Sequence, residues 1–256
     1  MVVMEENSKR QYLYGIHPVL EALRAGKKFD RILIKQGFES PLFRELMELV
    51  QKNGVTYQFV PVEKLNHTVK GAHQGVIATI ASVDYVPLEE MVDTALSVSD
   101  NPLFVILDGV SDVRNLGAIA RTLECAGGSG IIVPAKGGAA VNADAIKSSA
   151  GALMRIGICK VPNLRYAAYY LKQSGFSLVA ATEKTDVMIY DVDMTGPCAV
   201  IMGSEGKGIS QSMLSLADSK AAIPMAGAIS SLNVSAATSV VLFEAVRQRL
   251  GKKEAE

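Results

Sequence analysis

Cysteine is scarce in this chain of 256 residues: there are three, Cys125, Cys159 and Cys198, odd in number and far apart. That spacing fits reduced thiols serving as small apolar side chains better than a disulfide framework or a zinc site. Histidine is equally sparse. His17, His67 and His73 share no metal-ligand spacing and no carboxylate or thiol cluster accompanies them, so no metal site is expected. No apolar run reaches the length of a membrane span, and the opening Met1-Val-Val-Met-Glu-Glu-Asn has neither the basic start nor the apolar stretch of a secretory signal. The chain reads as soluble and cytoplasmic. Net charge is also missing: 26 Lys and Arg balance 26 Asp and Glu, so overall electrostatics announce no nucleic-acid partner.

The distribution of charge says more. Residues 8–85 carry eleven Lys/Arg against seven Asp/Glu, an excess of +4, whereas residues 86–250 carry thirteen against fifteen, a balance of −2. Ordinary surface variation and phosphate contact by the first segment both account for this asymmetry. That segment alternates short strand and helix patterns. Gln11–Tyr14 and Arg31–Lys35 read as strands around a helix at His17–Ala25. A second helix is expected from Ser40 to Asn53, with Ser40 as cap, Pro41 in the first turn and Gly54 at the stop. The β-branched runs Val55–Val60 and Gly75–Ala81 complete a small α/β unit. Tyr12, Tyr14 and His73 are of the types that stack on unpaired bases, but aromatics flanking a strand more often belong to a core.

Asp84-Tyr-Val-Pro87 breaks the pattern, and a helical stretch follows before Asn101-Pro102. The organisation expected is therefore a first domain over residues 1–85, a linker over 86–102 and a second domain over 103–256. In the second domain strands near Leu103–Leu107, Gly130–Val133, Ile156–Lys160, Ser177–Thr182, Ala199–Met202 and Ala221–Ile223 alternate with helices. That order predicts an α/β fold with a mainly parallel sheet covered on both faces.

Three polar, glycine-bearing blocks follow strands of this second domain: Asp108–Thr122, containing Asn115-Leu-Gly-Ala-Ile-Ala-Arg121; Gly203-Ser-Glu-Gly-Lys-Gly208; and Ile223–Ser235, ending in Ser230-Ser-Leu-Asn-Val-Ser235. Gly203–Gly208 is no nucleoside-triphosphate loop, because Gly208 stands where Ser or Thr is required after Lys207. Gly127-Gly-Ser-Gly130 precedes a strand and lacks the dinucleotide-binding order. On the helix after Asn115, Leu116, Ile119, Ala120 and Leu123 form one apolar stripe, which places Gly117, Arg121 and Glu124 opposite it. By spacing alone Arg121 is a solvated arginine beside Glu124. Ser231 and Asn233 are ordinary helix-capping types, and a helix start also offers free N–H donors to an anion.

In order and wording the three blocks resemble the motifs of the TrmH/SpoU family of RNA ribose 2'-O-methyltransferases, within the SPOUT superfamily. The segments Tyr14-Gly-Ile-His-Pro-Val-Leu-Glu-Ala-Leu23 and Ala72-His-Gln-Gly-Val-Ile-Ala78 resemble the substrate-binding domain of its larger members. The resemblance implies a ribosomal-protein-like α/β domain, then a methyltransferase domain with a trefoil knot, and a homodimer. It implies S-adenosylmethionine as cofactor and the ribose 2'-OH of a guanosine in 23S ribosomal RNA as methyl acceptor. A transfer-RNA enzyme of the same family and a non-catalytic ribosome assembly factor are the alternatives. The site residues it implies are Arg121 as principal catalytic residue, with Asn115, Glu205, Ser231 and Asn233 in the catalytic pocket, and Gly203, Ile223 and Leu232 against the cofactor. After Ser235, Ala-Ala-Thr-Ser replaces the family's frequent Val-Ala-Thr-Gly, a change confined to the helix body.

Overall fold

The structure, a computed structural model, describes residues 4–7, 10–80, 83–228 and 231–253. The chain forms two compact units: residues 1–84 with the short piece Val141–Ala143, and the remainder from Tyr85 onward.

The first unit holds strands β1 (Met4–Asn7), β2 (Arg10–Tyr14), β3 (Phe29–Lys35), β4 (Tyr57–Val60) and β5 (Val76–Ile80), and helices α1 (Ile16–Arg24), α2 (Phe43–Lys52) and α3 (Val62–Thr68). The sheet order is β1-β2-β5-β3-β4, parallel only between β3 and β4. Helix α1 presents Ile16, Val19, Leu20 and Leu23 at the spacing of one helical face, and these pack with Leu46 and Val50 of α2 onto Ile32, Ile34, Val76 and Ala78. Its entry needs Gly15, whose φ of 92° no L residue adopts cheaply. Helix α2 begins at Phe43 rather than Ser40, because Ser40 and Pro41 form a turn in which the Ser40 hydroxyl accepts from Leu42 N at 3.3 Å. Gly54, with φ 61°, ends it. Tyr12 and Tyr14 lie in a second small core with Leu33, Val60, Leu65, Val69 and Ile77, so both are core residues. His73 is buried as well. Its Nδ1 accepts from Gly75 N at 3.0 Å, which leaves the proton on Nε2 for Asn66 Oδ1 at 2.8 Å, and burial holds its pKa down.

The second unit opens with α4 (Leu88–Val98), whose Leu88, Met91, Val92 and Ala95 are part of its main core. It continues through β6 (Leu103–Asp108), α5 (Val113–Cys125), β7 (Gly130–Pro134), α6 (Ala143–Ser148), β8 (Gly157–Val161), α7 (Leu164–Gln173), β9 (Ser177–Ala181), β10 (Cys198–Gly203), α8 (Gln211–Leu214), β11 (Ser219–Ala221) and α9 (Val234–Lys253). All six strands are parallel, in the order β11-β9-β10-β6-β7-β8. The runs Leu103–Leu107 and Cys198–Gly203 are buried at every position, as strands covered on both faces must be. In α5 the stripe Leu116, Ile119, Ala120 and Leu123 is fully buried, each leucine side chain contributing about 1.5–3 kcal/mol. Gly117 does not lie on the solvent face: it is buried where α6 crosses, and a Cβ there would stand 1.9 Å from Ser148 Oγ. Cys159 and Cys198 are buried, which pushes both thiols up to about 12, and Cys125 is exposed. No helix among the described residues is long and apolar enough to cross a membrane.

Candidate active site

The chain leaves β6 toward β7 and β8 on one side, then places β10 and β9 on the other, so direction reverses between β6 and β10. In open parallel sheets such a reversal opens a crevice at the carboxyl ends of the strands, where ligands bind. Each polar block arrives there from a different element.

The first arrives by β6 and α5. Asp112 caps α5, its carboxylate accepting from Arg114 N at 2.7 Å and Asn115 N at 3.2 Å; these two backbone bonds hold its pKa below the usual range. Asn115 is thus not the hand-over residue but the third residue of the helix. The second block folds back on itself after β10. Ser204 N donates to Gly208 O at 3.2 Å and Gly208 N to Ser204 O at 2.8 Å, and Ser210 N ties the loop to Asp108 Oδ2 at 2.7 Å. Gly203 is required by this return, since a Cβ on it would stand 2.2 Å from Gly208 C and Ile209 N. The third block enters α9 through Asn233, whose Oδ1 accepts from Ser235 N at 2.9 Å as a cap does.

These arrangements bring three sequence-predicted residues into one cluster. Asn115 Nδ2 donates to Glu205 Oε1 at 3.0 Å, Asn233 Nδ2 donates to the same oxygen at 2.5 Å, and Asn233 Nδ2 also lies 3.1 Å from Asn115 Oδ1. Glu205 Oε2 has no partner among the described residues. Glu205 and Asn233 are exposed, so the cluster opens to solvent with a carboxylate fixed by two amides and one oxygen left to accept. Helices α5 and α9 run on together from here, and Thr122 and Ser239 meet at 3.1 Å two turns along.

Arg121 is not drawn into the cluster. It is exposed on α5, with no ion pair or hydrogen bond among the described residues, and Glu124 pairs with Arg155 at 3.5 Å instead. Ser231 and Leu232 are exposed beside Asn233, Ile223 is half-buried, and Ile229 and Ser230 lie outside the described residues. From Ile223 to Ala228 the backbone makes no hydrogen bond among the described residues, while Met225 and Leu232 stand 41 % and 39 % exposed. Free backbone donors and acceptors beside open apolar side chains fit a ligand with a flat heteroaromatic ring, whose edge seeks hydrogen bonds and whose faces seek apolar cover. No group of His, Cys, Asp and Glu able to hold a metal occurs among the described residues. A cavity of about 420 Å³ lined by Met91, Ala95, Ser129, Arg155 and Gly157 lies at the amino ends of β7 and β8, at the opposite end of the strands from the cluster.

Three supporting residues escaped the reading of the sequence. Asp112 carries a legible signal, an Asp just before an apolar-periodic run. Asp108 and Ser235 carry none, because their partners are set by the fold.

A parallel α/β domain with an amide-clamped carboxylate at its switch point defines a ligand-binding enzyme fold. Residues 102–243 match the SpoU rRNA Methylase family, and residues 12–86 match the family described as RNA 2'-O ribose methyltransferase substrate binding. The chain belongs to the SpoU methylase family. It is 38 % identical to the 23S rRNA (guanosine-2'-O-)-methyltransferase RlmB of Pseudomonas syringae, over 96 % of this chain and 99 % of that protein. It is 31 % identical to the putative TrmH family tRNA/rRNA methyltransferase YacO of Bacillus subtilis, over 95 % of this chain and 98 % of that one. Among solved structures, the SpoU methyltransferase AviRb of Streptomyces viridochromogenes in complex with AdoMet superposes with a TM-score of 0.60 at 27 % identity, covering 94 % of this chain and 91 % of that one.

Proposed function

We propose that this protein transfers the methyl group of S-adenosylmethionine to the ribose 2'-OH of a guanosine in 23S ribosomal RNA. The observation that carries the reading is the Asn115–Glu205–Asn233 cluster at the switch point, assembled from three blocks that resemble the family's motifs. Near full-length similarity to RlmB supports the substrate.

When bound, S-adenosylmethionine supplies the electrophilic methyl group. Ile223 and Leu232 border the segment that would hold its adenosine part, and Gly203 lets the adjoining loop close. The chain's own work is to present the hydroxyl and lower the cost of losing its proton. Arg121, without a partner among the described residues, is the residue for the developing alkoxide or an adjacent phosphate. A guanidinium stays protonated, so it acts by charge rather than by taking the proton. Asn115, Glu205, Ser231 and Asn233 position ribose and phosphate, with Glu205 Oε2 as the acceptor left open.

Residues 1–85 serve to choose the RNA and residues 103–256 to methylate it, while 86–102, expected as a plain linker, join them and also lend α4 to the core of the second unit. A homodimer and a trefoil knot belong to the same reading, as does a cytoplasmic location. Support for the dimer comes from α9, where Phe243 and Leu250 are 49 % and 59 % exposed one helical heptad apart, with exposed Ala236 and half-buried Val240 on the same stripe. Transfer of radiolabelled methyl to ribosomal RNA, followed by mapping 2'-O-methyl sites in cells with and without the protein, tests the proposal. Loss of a guanosine methyl from 23S RNA is expected; loss of a transfer-RNA methyl instead, or of none, refutes it.

A further inference from the structure

Among the described side chains of the first unit, Phe59 is the single large apolar one left exposed, at 42 %. It stands on β4, the last strand of its sheet, with no strand beyond it. Its setting is built of rings. Tyr57 meets Phe59 edge-on, centroids 5.7 Å apart and planes at 81°; Phe43 of α2 meets it at 6.3 Å and 49°; Phe43 in turn meets Phe38 edge-on at 5.8 Å. Phe38 lies over Gly75, where a Cβ would come within 2.7 Å of its ring. None of these contacts is a parallel stack. The ring of Phe59 is therefore flanked by tilted neighbours, and enough of the side chain stays exposed to meet a flat partner.

We propose that Phe59, backed by Tyr57, Phe43 and Phe38, is a platform on which the protein stacks an unpaired base of single-stranded RNA. The inference rests on the reading of the chain as an RNA methyltransferase, and on the match of residues 12–86 to a substrate-binding family. RNA is favoured over a protein strand added at the β4 edge by that family match and by the +4 excess of residues 8–85. Arg44, which follows Phe43, is exposed with no ion-pair partner among the described residues. Exposed Glu39 and Glu48 keep the segment from being strongly basic, so a stacked base rather than a run of phosphates is the contact it suits. A ring so flanked also loses little conformational freedom when the base arrives.

The test uses the full-length protein and a short single-stranded RNA carrying one 2-aminopurine, whose fluorescence reports stacking, with a blunt RNA duplex as the comparison. Phe59→Leu keeps the apolar contacts and removes the ring, and should weaken single-strand binding by about five- to a hundredfold while leaving duplex affinity unchanged. Phe59→Tyr should restore it and Phe59→Trp should tighten it, a gain that misfolding cannot produce. Because stacking releases no counterions, the ratio of wild-type to Phe59→Leu affinity should be the same at low and near-physiological salt. Equal single-strand affinity in wild type and Phe59→Leu overturns the proposal, as does an equal loss on duplex. Failure of the wild type to methylate any RNA would instead refute the enzymatic reading, whatever Phe59 does.

Discussion

Gly203→Ala is the smallest change that separates the packing of the second glycine loop from its composition. The added Cβ would stand 2.2 Å from Gly208 C and Ile209 N, and ordinary contact begins at 3.4 Å, so the returning backbone has to move by about 1.2 Å. The atoms in the way are main chain, and no side-chain rotation relieves them. Overpacking of this kind costs about 1–3 kcal/mol, a fall in melting temperature of about 3–10 °C for a unit of this size. The displaced segment includes Ser210, whose N–H bonds Asp108, and adjoins Glu205, which Asn115 and Asn233 clamp. A misplacement of about 1 Å in a catalytic group costs on the order of 10²-fold in rate. Gly206→Ala, three residues on, is the control: nothing lies within 4 Å of its Cβ and its φ is not positive, so melting and rate should stay near wild type. Thermal unfolding and single-turnover methyl transfer read both variants. A Gly203→Ala protein with wild-type melting and rate would show that the close return of this loop does not hold Glu205 in place.

Arg121→Ala should lose orders of magnitude in single-turnover rate at saturating RNA while its dissociation constant for S-adenosylmethionine stays near wild type; Arg121→Lys, with the charge but not the planar fork, should recover only part. A near-normal rate in Arg121→Ala would remove the residue from the chemistry. A chain beginning at Tyr85, which keeps α4 in its core, should fold and bind S-adenosylmethionine in calorimetry yet methylate RNA poorly, with a shallower salt dependence of RNA affinity than the full chain. Unchanged RNA affinity and site choice would assign the first unit another role. Iodoacetamide at mildly alkaline pH should label Cys125 alone in the native protein. Burial raises the pKa of Cys159 and Cys198 to about 12, so their reactive thiolate is absent until far higher pH, and three labels per native chain, read by mass spectrometry, would contradict that burial.

What the sequence makes legible is what depends on neighbours along the chain. Val105-Ile-Leu and Val200-Ile-Met read as buried parallel strands because burial on both faces leaves a continuous apolar run, and both are such strands. Gly54 marks a helix end through a local demand for positive φ. The misreadings have the opposite origin. Helical periodicity alone puts Gly117 on the solvent face, but α6 crosses α5 there and needs a residue without a side chain. Short α3 buries a single residue, Leu65, too little to leave a periodic signature. Phe59 reads as one more strand aromatic, because edge position is a property of strand order and not of the strand. Asn115, Glu205 and Asn233 stand out in the sequence only through resemblance to a family, and their convergence on one oxygen is a product of the fold.

Strand order also explains why the third block looks so unlike the other two. Asp108 and Gly203 end adjacent strands, so their blocks reach the crevice directly. The third block starts from β11, on the far side of β9, three strand spacings or about 14 Å from β6. To place Asn233 against Asn115, the chain after Ala221 must travel back past the carboxyl ends of β9 and β10. A segment running across strand ends cannot join the ladder, which is why the backbone from Ile223 to Ala228 makes no hydrogen bonds among the described residues. At exposed positions such as 224–228 these groups are open to water or to a ligand. The route that completes the amide clamp on Glu205 therefore also lays down the unpaired donors and acceptors beside it. Cofactor contact and the positioning of the acceptor hydroxyl become two consequences of one crossing, and a change that shortens or stiffens it should disturb both together.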